Sequence, residues 1–357
     1  MKKYTAIDIF AGGGGLTVGL KRAGFNVVSA IEIESNAFAT YKSNHPEVQV
    51  YKQDVRTIKG IEFRRSSPMG SIDLLAGCPP CQGFSSLTSK YQKKDPRNDL
   101  VLEMARLVKE VKPTAVMTEN VPGLAQKGKP LFDQFIDTLT SLGYQSEWAV
   151  LQVADYGVPQ SRRRLVLLAG KGFRIPIPPP THSKSGANGL KRWRPLKSVI
   201  GGMPRPITLA EAMTKGGPQV FDWHVVRTLS SQNMRRIKKA KPGKAWTSIP
   251  KLLRPECHKD NKVGFSNVYG RATWGEVSPT ITGGCTTLSK GRFGHPTQDR
   301  TISVREAALI QTFPQDYIFD TPYMEYVCNV IGNALPCDFA EVLARQCIKA
   351  LRASKSD

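Results

Sequence analysis

Cys78 and Cys81 stand three apart in Gly77-Cys78-Pro79-Pro80-Cys81-Gln82, and three kinds of chemistry use a Cys-x-x-Cys spacing. They are a redox pair, half of a zinc site, or a single activated nucleophile. A zinc site needs a second ligand pair, and Cys257-His258 is adjacent rather than spaced. A thioredoxin-like pair is expected after the first strand of a small domain, whereas this one follows the fourth strand-like run of a long chain. The remaining reading is a lone nucleophile, Cys81, presented on a stiff Pro-Pro turn at the carboxyl edge of a sheet.

Three further segments carry polar groups that such a nucleophile could use. Thr118-Glu119-Asn120-Val121-Pro122-Gly123 sets a carboxyl between an apolar run and a Pro-Gly turn, a setting that predicts an acid of raised pKa. In Gln160-Ser161-Arg162-Arg163-Arg164, Arg162 and Arg164 are two apart, which puts them on one face of a strand. Near the N-terminus, Asp8-Ile9-Phe10-Ala11-Gly12-Gly13-Gly14-Gly15-Leu16 follows a first apolar run, and its glycines let a ligand approach a helix N-terminus. The contiguous glycines followed by Gly19 do not match the G-x-G-x-x-G spacing of a dinucleotide site. Glu32 ends a second run and Asp54 follows a third, so three successive strand ends face one crevice suited to a nucleoside-bearing cofactor. Any one of these segments alone is also what an ordinary polar strand end looks like.

Positioning these groups falls to alternating elements. Ala6–Phe10, Val27–Ile31, Ile72–Ala76, Ala115–Met117 and Leu165–Ala169 read as buried strands, with Leu16–Ala23, Ser35–Lys42, Leu100–Val108 and Leu131–Leu142 as helices between them. Gly24 and Gly143 fall at C-terminal caps and Ser35 at an N-cap. The alternation predicts an α/β fold with a doubly wound, mainly parallel sheet. Val304–Phe313 is predicted to be helical, followed by a final turn and helix over Ile331–Leu351.

In this order, the segments resemble the DNA cytosine-C5 methyltransferases over nearly the whole chain except roughly residues 172–270. Asp8–Gly12 resembles the family's S-adenosylmethionine loop, Pro79-Pro80-Cys81-Gln82 its nucleophile motif, and Glu119-Asn120-Val121 its acid motif. Gln160-x-Arg162-x-Arg164 resembles its base-anchoring motif. Arg305-Glu306-Ala307 with Gln311-Thr312-Phe313-Pro314 is similar to a structural helix, and Gly332-Asn333-Ala334-Leu335-Pro336 to a closing motif that returns to the cofactor. Pro79 departs from the family's commoner aromatic residue, and Cys78 adds a second thiol that could form a disulfide with Cys81.

The resemblance implies catalysis by Cys81, Glu119, Arg162 and Arg164 and no metal. Cys81 would add to C6 of cytosine and Glu119 would act at N3. Arg164 would hold the carbonyl oxygen of the base, with Arg162 supporting Glu119 or a phosphate. It implies S-adenosylmethionine, leaving as S-adenosylhomocysteine, against Phe10, Ala11, Gly12, Gly13, Gly14, Gly15, Leu16, Glu32, Ile33, Asp54, Val55, Pro80, Leu100, Asn333 and Ala334. Gln82, Ser85, Arg97, Asn120 and Gln160 would meet the substrate. The polar stretch 84–98 resembles the mobile loop that closes over DNA around a flipped-out base.

Charge supports a polyanionic partner. The 357 residues hold 51 Lys+Arg against 29 Asp+Glu, a net of +22. Residues 171–270 hold 20 basic and four acidic residues, so +16 of that excess lies in little more than a quarter of the chain. The same stretch has 11 of the 25 prolines and opens on Ile175-Pro176-Ile177-Pro178-Pro179-Pro180. The predicted division is therefore a catalytic core over 1–171, a basic target-recognition domain over 172–270, and a segment over 271–357 that returns to the core. Pro195, Pro204, Pro206 and Pro218 argue against a helical bundle in the insert and for loops on a small, irregular scaffold. Its densest run, Arg235 to Lys244, is followed by Trp246, and the segment reads as a phosphate-binding surface for double-stranded DNA. Thr286-Thr287 could lie near the bases or be structural.

The expected setting is the cytoplasm, at the nucleoid. Seven scattered cysteines suit a reducing compartment, and neither a membrane span nor a signal peptide is evident. A monomer is expected, with a companion restriction endonuclease as a conceivable partner. Two alternatives stay open on sequence alone: a transfer-RNA cytosine-C5 methyltransferase, and a non-catalytic nucleic-acid-binding protein on the same scaffold.

Overall fold

Five apolar runs become parallel strands whose carboxyl ends share one edge. They are β1 (Thr5–Ile9), β2 (Asn26–Ile31), β3 (Gln49–Tyr51), β4 (Leu74–Gly77) and β5 (Ala115–Asn120). Two longer strands, β6 (Tyr144–Gln152) and β7 (Arg163–Lys171), complete a seven-stranded sheet of order β3-β2-β1-β4-β5-β7-β6. Every pair is parallel except those of β7, which runs antiparallel to both β5 and β6. The sheet is thus mainly parallel, as expected. This computed structural model describes residues 3–80, 96–259 and 266–355.

Helices cover both faces. On one, α3 (Gly60–Arg65), α4 (Leu100–Val111) and α5 (Lys129–Ser141) set Phe63, Met104, Leu107, Phe132 and Phe135 against Ile7, Ile9, Leu75 and Val116 of the strands. On the side to which Asp8 points lie α1 (Gly15–Ala23), α2 (Ser35–Asn44) and the C-terminal helix α11 (Cys337–Ala353). Helices α1 and α11 pack so closely that a Cβ on Gly19 would lie 2.4 Å from that of Ala340. Gly24 ends α1 in the left-handed region with φ 108°, as its sequence position predicts. The N-cap of α2 is Glu34 rather than Ser35, because the longer carboxylate reaches the Ala37 amide at 2.8 Å.

Two compact units emerge: Met1–Tyr156 with Arg163–Thr181 and Leu335–Asp357, and Gly157–Arg162 with His182–Ala334. These limits differ from those that composition suggests. The Pro-rich stretch 175–180 stays with the sheet unit, and residues 271–334 fold with the basic segment. Charge and proline content mark where the surface changes, whereas compaction follows the packing of buried side chains.

The second unit is built of short pieces. It has strand pairs β8–β9 (His182–Ser183, Lys191–Arg192) and β10–β11 (Ile207–Thr208, Val225–Val226), and helices α6 (Lys197–Ile200), α7 (Leu209–Thr214), α8 (Ser231–Lys239), α9 (Val304–Ile310) and α10 (Met324–Asn333). Its core holds Trp223, whose indole donates to the Phe319 carbonyl at 3.1 Å. Helix α9 opens on a capping box, Ser303 with Glu306, and Glu306 takes a bidentate pair from Arg300 at 2.7 and 2.8 Å. By length and composition alone the helical stretch Met324–Ala353 could cross a membrane, but 67% of its apolar window is buried inside the protein. Its apolar faces serve the core.

Candidate active site

The loop after β1 turns with Phe10, Gly12 and Gly14 at φ 62°, 55° and 89°. A non-glycine residue in this region is uncommon and strained, which marks the Phe10 turn as held by its surroundings. Glu32, at the end of β2, does the holding. Its carboxylate accepts the Gly12 amide at 2.8 Å and the Glu34 amide at 2.7 Å. Burial raises its pKa. A carboxylate has about four acceptor positions, so acceptor capacity remains for a ligand hydroxyl. Ile33 beside it is 60% exposed, an apolar side chain presented to solvent at the strand edge.

The other expected cofactor residues divide. Ala11, Leu16, Val55 and Leu100 are buried, and so are Gly13, Gly14 and Gly15. Val55 is fixed through its carbonyl by Arg106 at 2.8 Å. Asp54 takes the amide of Arg56 at 2.9 Å and its guanidinium at 3.1 Å. Pro80 is half-buried, while Asn333 and Ala334 belong to the second unit, at the end of α10.

Beneath the glycine loop lies the acid that opens the Asp8–Gly12 segment. Asp8 is fully buried in β1, accepts from Thr17 Oγ1 at 2.7 Å, and has no hydrogen-bond partner on Oδ1. The Thr17 hydroxyl also meets the Tyr41 hydroxyl at 2.7 Å. Burial drives the Asp8 pKa up to about 7. The signal was present in the sequence as an acid inside the apolar run Ala6-Ile7-Asp8-Ile9.

At the reactive edge, register aligns Ile9 with Gly77 and Gly77 with Thr118, so β4 and β5 end together. Cys81, Gln82 and Ser85 lie outside the described residues, and Arg97 falls in the single turn Pro96–Asp99 before α4. The turn leading to Cys81 is clamped from β5. Thr118 Oγ1 donates to the Gly77 carbonyl at 3.0 Å, and the Asn120 amide donates to the Pro79 carbonyl at 3.0 Å. Asn120 Oδ1 in turn accepts the Val121 amide at 2.8 Å. Asn120, expected to meet substrate, has both ends of its amide on main chain. Cys78 has its thiol pKa raised by burial first and by the neighbouring Glu119 next.

Glu119 pairs with Arg164 through Oε1 and Nε, and both side chains are largely buried, 9% and 13% exposed. The expectation gave Arg162 to Glu119 or to a phosphate; the ion pair to Glu119 comes from Arg164. Arg162 precedes β7 and sits in the second unit, where it donates to the carbonyls of Ile281 at 2.7 Å and Gly332 at 3.0 Å. The two arginines are thus not on one strand face, because the strand begins only at Arg163. Gln160 is fully buried as well. Its amide nitrogen donates to Gln311 at 2.7 Å and its oxygen accepts the Ile281 amide at 2.8 Å, while Gln311 donates to the carbonyls of Ile331 and Ala334. Gln160 and Arg162 accordingly fasten the second unit's own main chain. A Cβ on Gly332 would lie 2.2 Å from the Gly283 amide nitrogen, so only glycine fits where Arg162 docks.

Two further polar or aromatic residues of the second unit are taken up in packing. Trp246 is buried, stacked on His258 at 4.6 Å under the guanidinium of Arg254, and so is part of a small core. Thr286 is buried beside Cys328, with its hydroxyl accepting from Arg227 at 3.3 Å.

Comparison with known proteins accords with this geometry. The family described as C-5 cytosine-specific DNA methylase matches residues 4–349. The Type II methylase M.HgiDII of Herpetosiphon aurantiacus is 37% identical over 344 residues, which is 95% of this chain and 93% of that protein. The Type II methyltransferase M.NgoMIV of Neisseria gonorrhoeae is 33% identical, covering 98% and 99%. Among solved structures, the S. pombe Dnmt2 methyltransferase shares the fold, with a TM-score of 0.65 at 17% identity over 98% of this chain and 99% of that one. The chain belongs to the C-5 cytosine-specific DNA methylases and is a DNA (cytosine-5-)-methyltransferase.

Proposed function

We propose that the enzyme is sequence-specific and methylates a cytosine flipped out of duplex DNA through a covalent adduct between Cys81 and C6. The observation that carries this reading is the arrangement at the ends of β4, β5 and β7. Asn120 holds the turn that precedes Cys81, and Glu119 faces Arg164 within the same unit. Addition of the Cys81 thiolate at C6 makes C5 enamine-like. Charge then gathers at N3 and the ring carbonyl, where Glu119 supplies a proton and Arg164 a guanidinium. After methylation a base removes the C5 proton and Cys81 leaves. A stacked base would keep C6 out of reach, hence the flipping step.

The residues at the carboxyl edge fit S-adenosylmethionine. Left-handed Gly12 and Gly14 present bare backbone, Glu32 offers acceptor lone pairs suited to ribose hydroxyls, and the exposed Ile33 suits an adenine face. When bound, S-adenosylmethionine supplies the electrophilic methyl group that C5 accepts and departs as S-adenosylhomocysteine. The side chains of Asp54, Val55, Pro80 and Leu100 complete this reading from the first unit, and the assignment of Asn333 and Ala334 rests on the sequence resemblance. Gln82, Ser85 and Arg97 remain assigned to the DNA. The Type II names of the relatives support a restriction-modification setting. We further propose a companion endonuclease, a monomeric enzyme and a cytoplasmic, nucleoid location.

Bisulfite sequencing of a plasmid methylated by the purified protein identifies the site. A duplex with 5-fluorocytosine at that site then tests the mechanism, since fluorine cannot leave as a proton does. A denaturant-stable protein–DNA complex is expected with the parent and none with Cys81→Ser. An adduct formed equally well by Cys81→Ser overturns the assignment.

A further inference from the structure

Helix α8 carries a charged face that the catalytic reading leaves unused. Arg235, Lys238 and Lys239 are exposed and spaced i, i+3, i+4, so they form one outward face, and the exposed Lys241 and Lys244 continue it. The opposite face is fixed. Ile237 and Ala240 enter a small core with Ile249 and Leu288, and Arg236 is buried, donating to the Leu253 carbonyl at 2.7 Å and to Asn233 at 2.9 Å.

The density of cations with no acid among them sets this face apart. In the sheet unit some exposed cations are paired with acids, as Lys129 with Asp133, Arg345 with Glu341 and Arg22 with Asp338. Between Asp222 and Glu256 the sequence has nine Lys and Arg and no acid. None of the five exposed cations forms an ion pair among the described residues. Basic residues in a last turn usually answer the negative end of the helix dipole. Here that task belongs to another residue. The buried Arg271 donates to the carbonyls of Ile237 at 2.9 Å and Ala240 at 3.1 Å, closing the end of α8 from outside the helix. Arg271 is itself held by the His295 carbonyl at 2.8 Å and by Asp299. The lysines are thereby left available to an external anion, on a helix whose own carbonyl end no longer repels one.

We propose that this face of α8, Arg235, Lys238 and Lys239 with Lys241 and Lys244, grips the phosphates of one strand of duplex DNA, and that Arg271 positions it. The proposal rests on the duplex-DNA reading above and adds to it the element that bears the backbone. Such contacts hold the protein on DNA without choosing a sequence.

The test uses the full-length protein and a short duplex of arbitrary sequence, whose affinity is measured over a series of KCl concentrations. The triple variant Arg235→Gln, Lys238→Gln, Lys239→Gln keeps helix formers at exposed positions, so its melting temperature should match the parent's. The slope of log affinity against log salt should shrink by about 2.7, three charges at ~0.9 each. The control triple Lys129→Gln, Arg345→Gln, Lys349→Gln removes equal charge from the sheet unit and should leave the slope unchanged. The methylated sequence should be the same in all three proteins. An unchanged slope in the α8 variant, or an equal fall in the control, overturns the proposal while leaving the methyltransferase reading intact. A parent that methylates no duplex takes down the underlying reading itself.

Discussion

Arg164 reaches Glu119 across the antiparallel junction of β5 and β7. Glu119 is paired in register with Val166, and Arg164 lies two residues before Val166 on the same side of the strand. The pair is nearly enclosed, so neither partner can be removed alone without stranding a charge. Arg164→Ala should therefore destabilise the protein by roughly 3–5 kcal/mol. Adding Glu119→Gln to that variant should recover most of the loss while methyl transfer stays absent. Thermal unfolding and methyl incorporation of the single and double variants check this, and an unchanged melting temperature in Arg164→Ala would count against the pair.

Asn120 is expected to act on the reaction through its hydrogen bond to Pro79. Removing its amide strips the Pro79 carbonyl and the Val121 amide of partners inside the fold, at a cost of about 1–3 kcal/mol. Asn120→Ala should lower kcat and leave KM for DNA nearly unchanged, because the turn before Cys81 loosens while the basic surface is untouched. A variant that raises KM with kcat intact would return Asn120 to the substrate-binding group.

The uneven legibility of the sequence has physical causes. Strands such as Ala6–Phe10 show plainly because both their faces are buried and their runs are apolar. Strand β6 has no clear sequence signal, since it forms the sheet edge and mixes Gln145, Ser146 and Glu147 with half-buried side chains. Helix α3 is six residues long, too short to show periodicity. Residue types at the site were readable, but their duties were not. Gln160 and Arg162 carry polar groups that only the folded chain shows to be taken up by carbonyls of Ile281 and Gly332 and by Gln311. Trp246 follows the run of lysines in sequence, and only the fold shows it taken into packing beside His258 and Arg254.

Cys78 is set apart from a nucleophile's role by its surroundings. Burial and the carboxylate of Glu119 both disfavour its thiolate, and a protonated thiol is a poor nucleophile. Cys78→Ala should keep methyl transfer close to the parent rate, whereas Cys81→Ala should have none. Methyl incorporation by the two variants decides between the thiols, and loss of activity in Cys78→Ala with normal folding would show that the first cysteine is required.

Asp8 predicts a pH dependence of stability that can be isolated. Its carboxyl titrates near 7 in the folded protein against an ordinary value of 3.8, because burial disfavours the charge and only Thr17 partly offsets it. Between those values the folded state keeps a proton that the unfolded chain gives up. The contribution of Asp8 to stability is thus fully present below 3.8, declines as pH rises through about 7, and is level above. His45 and His295, both pushed down to about 4 by burial, tilt the opposite way, since the unfolded chain is then the one that holds the extra proton. The total curve therefore hides the effect, and the difference between parent and Asp8→Asn reveals it. Denaturant unfolding at pH 5 and pH 8 should show Asp8→Asn gaining on the parent as pH rises. Parallel curves for the two proteins would mean that Asp8 stays ionised in the fold.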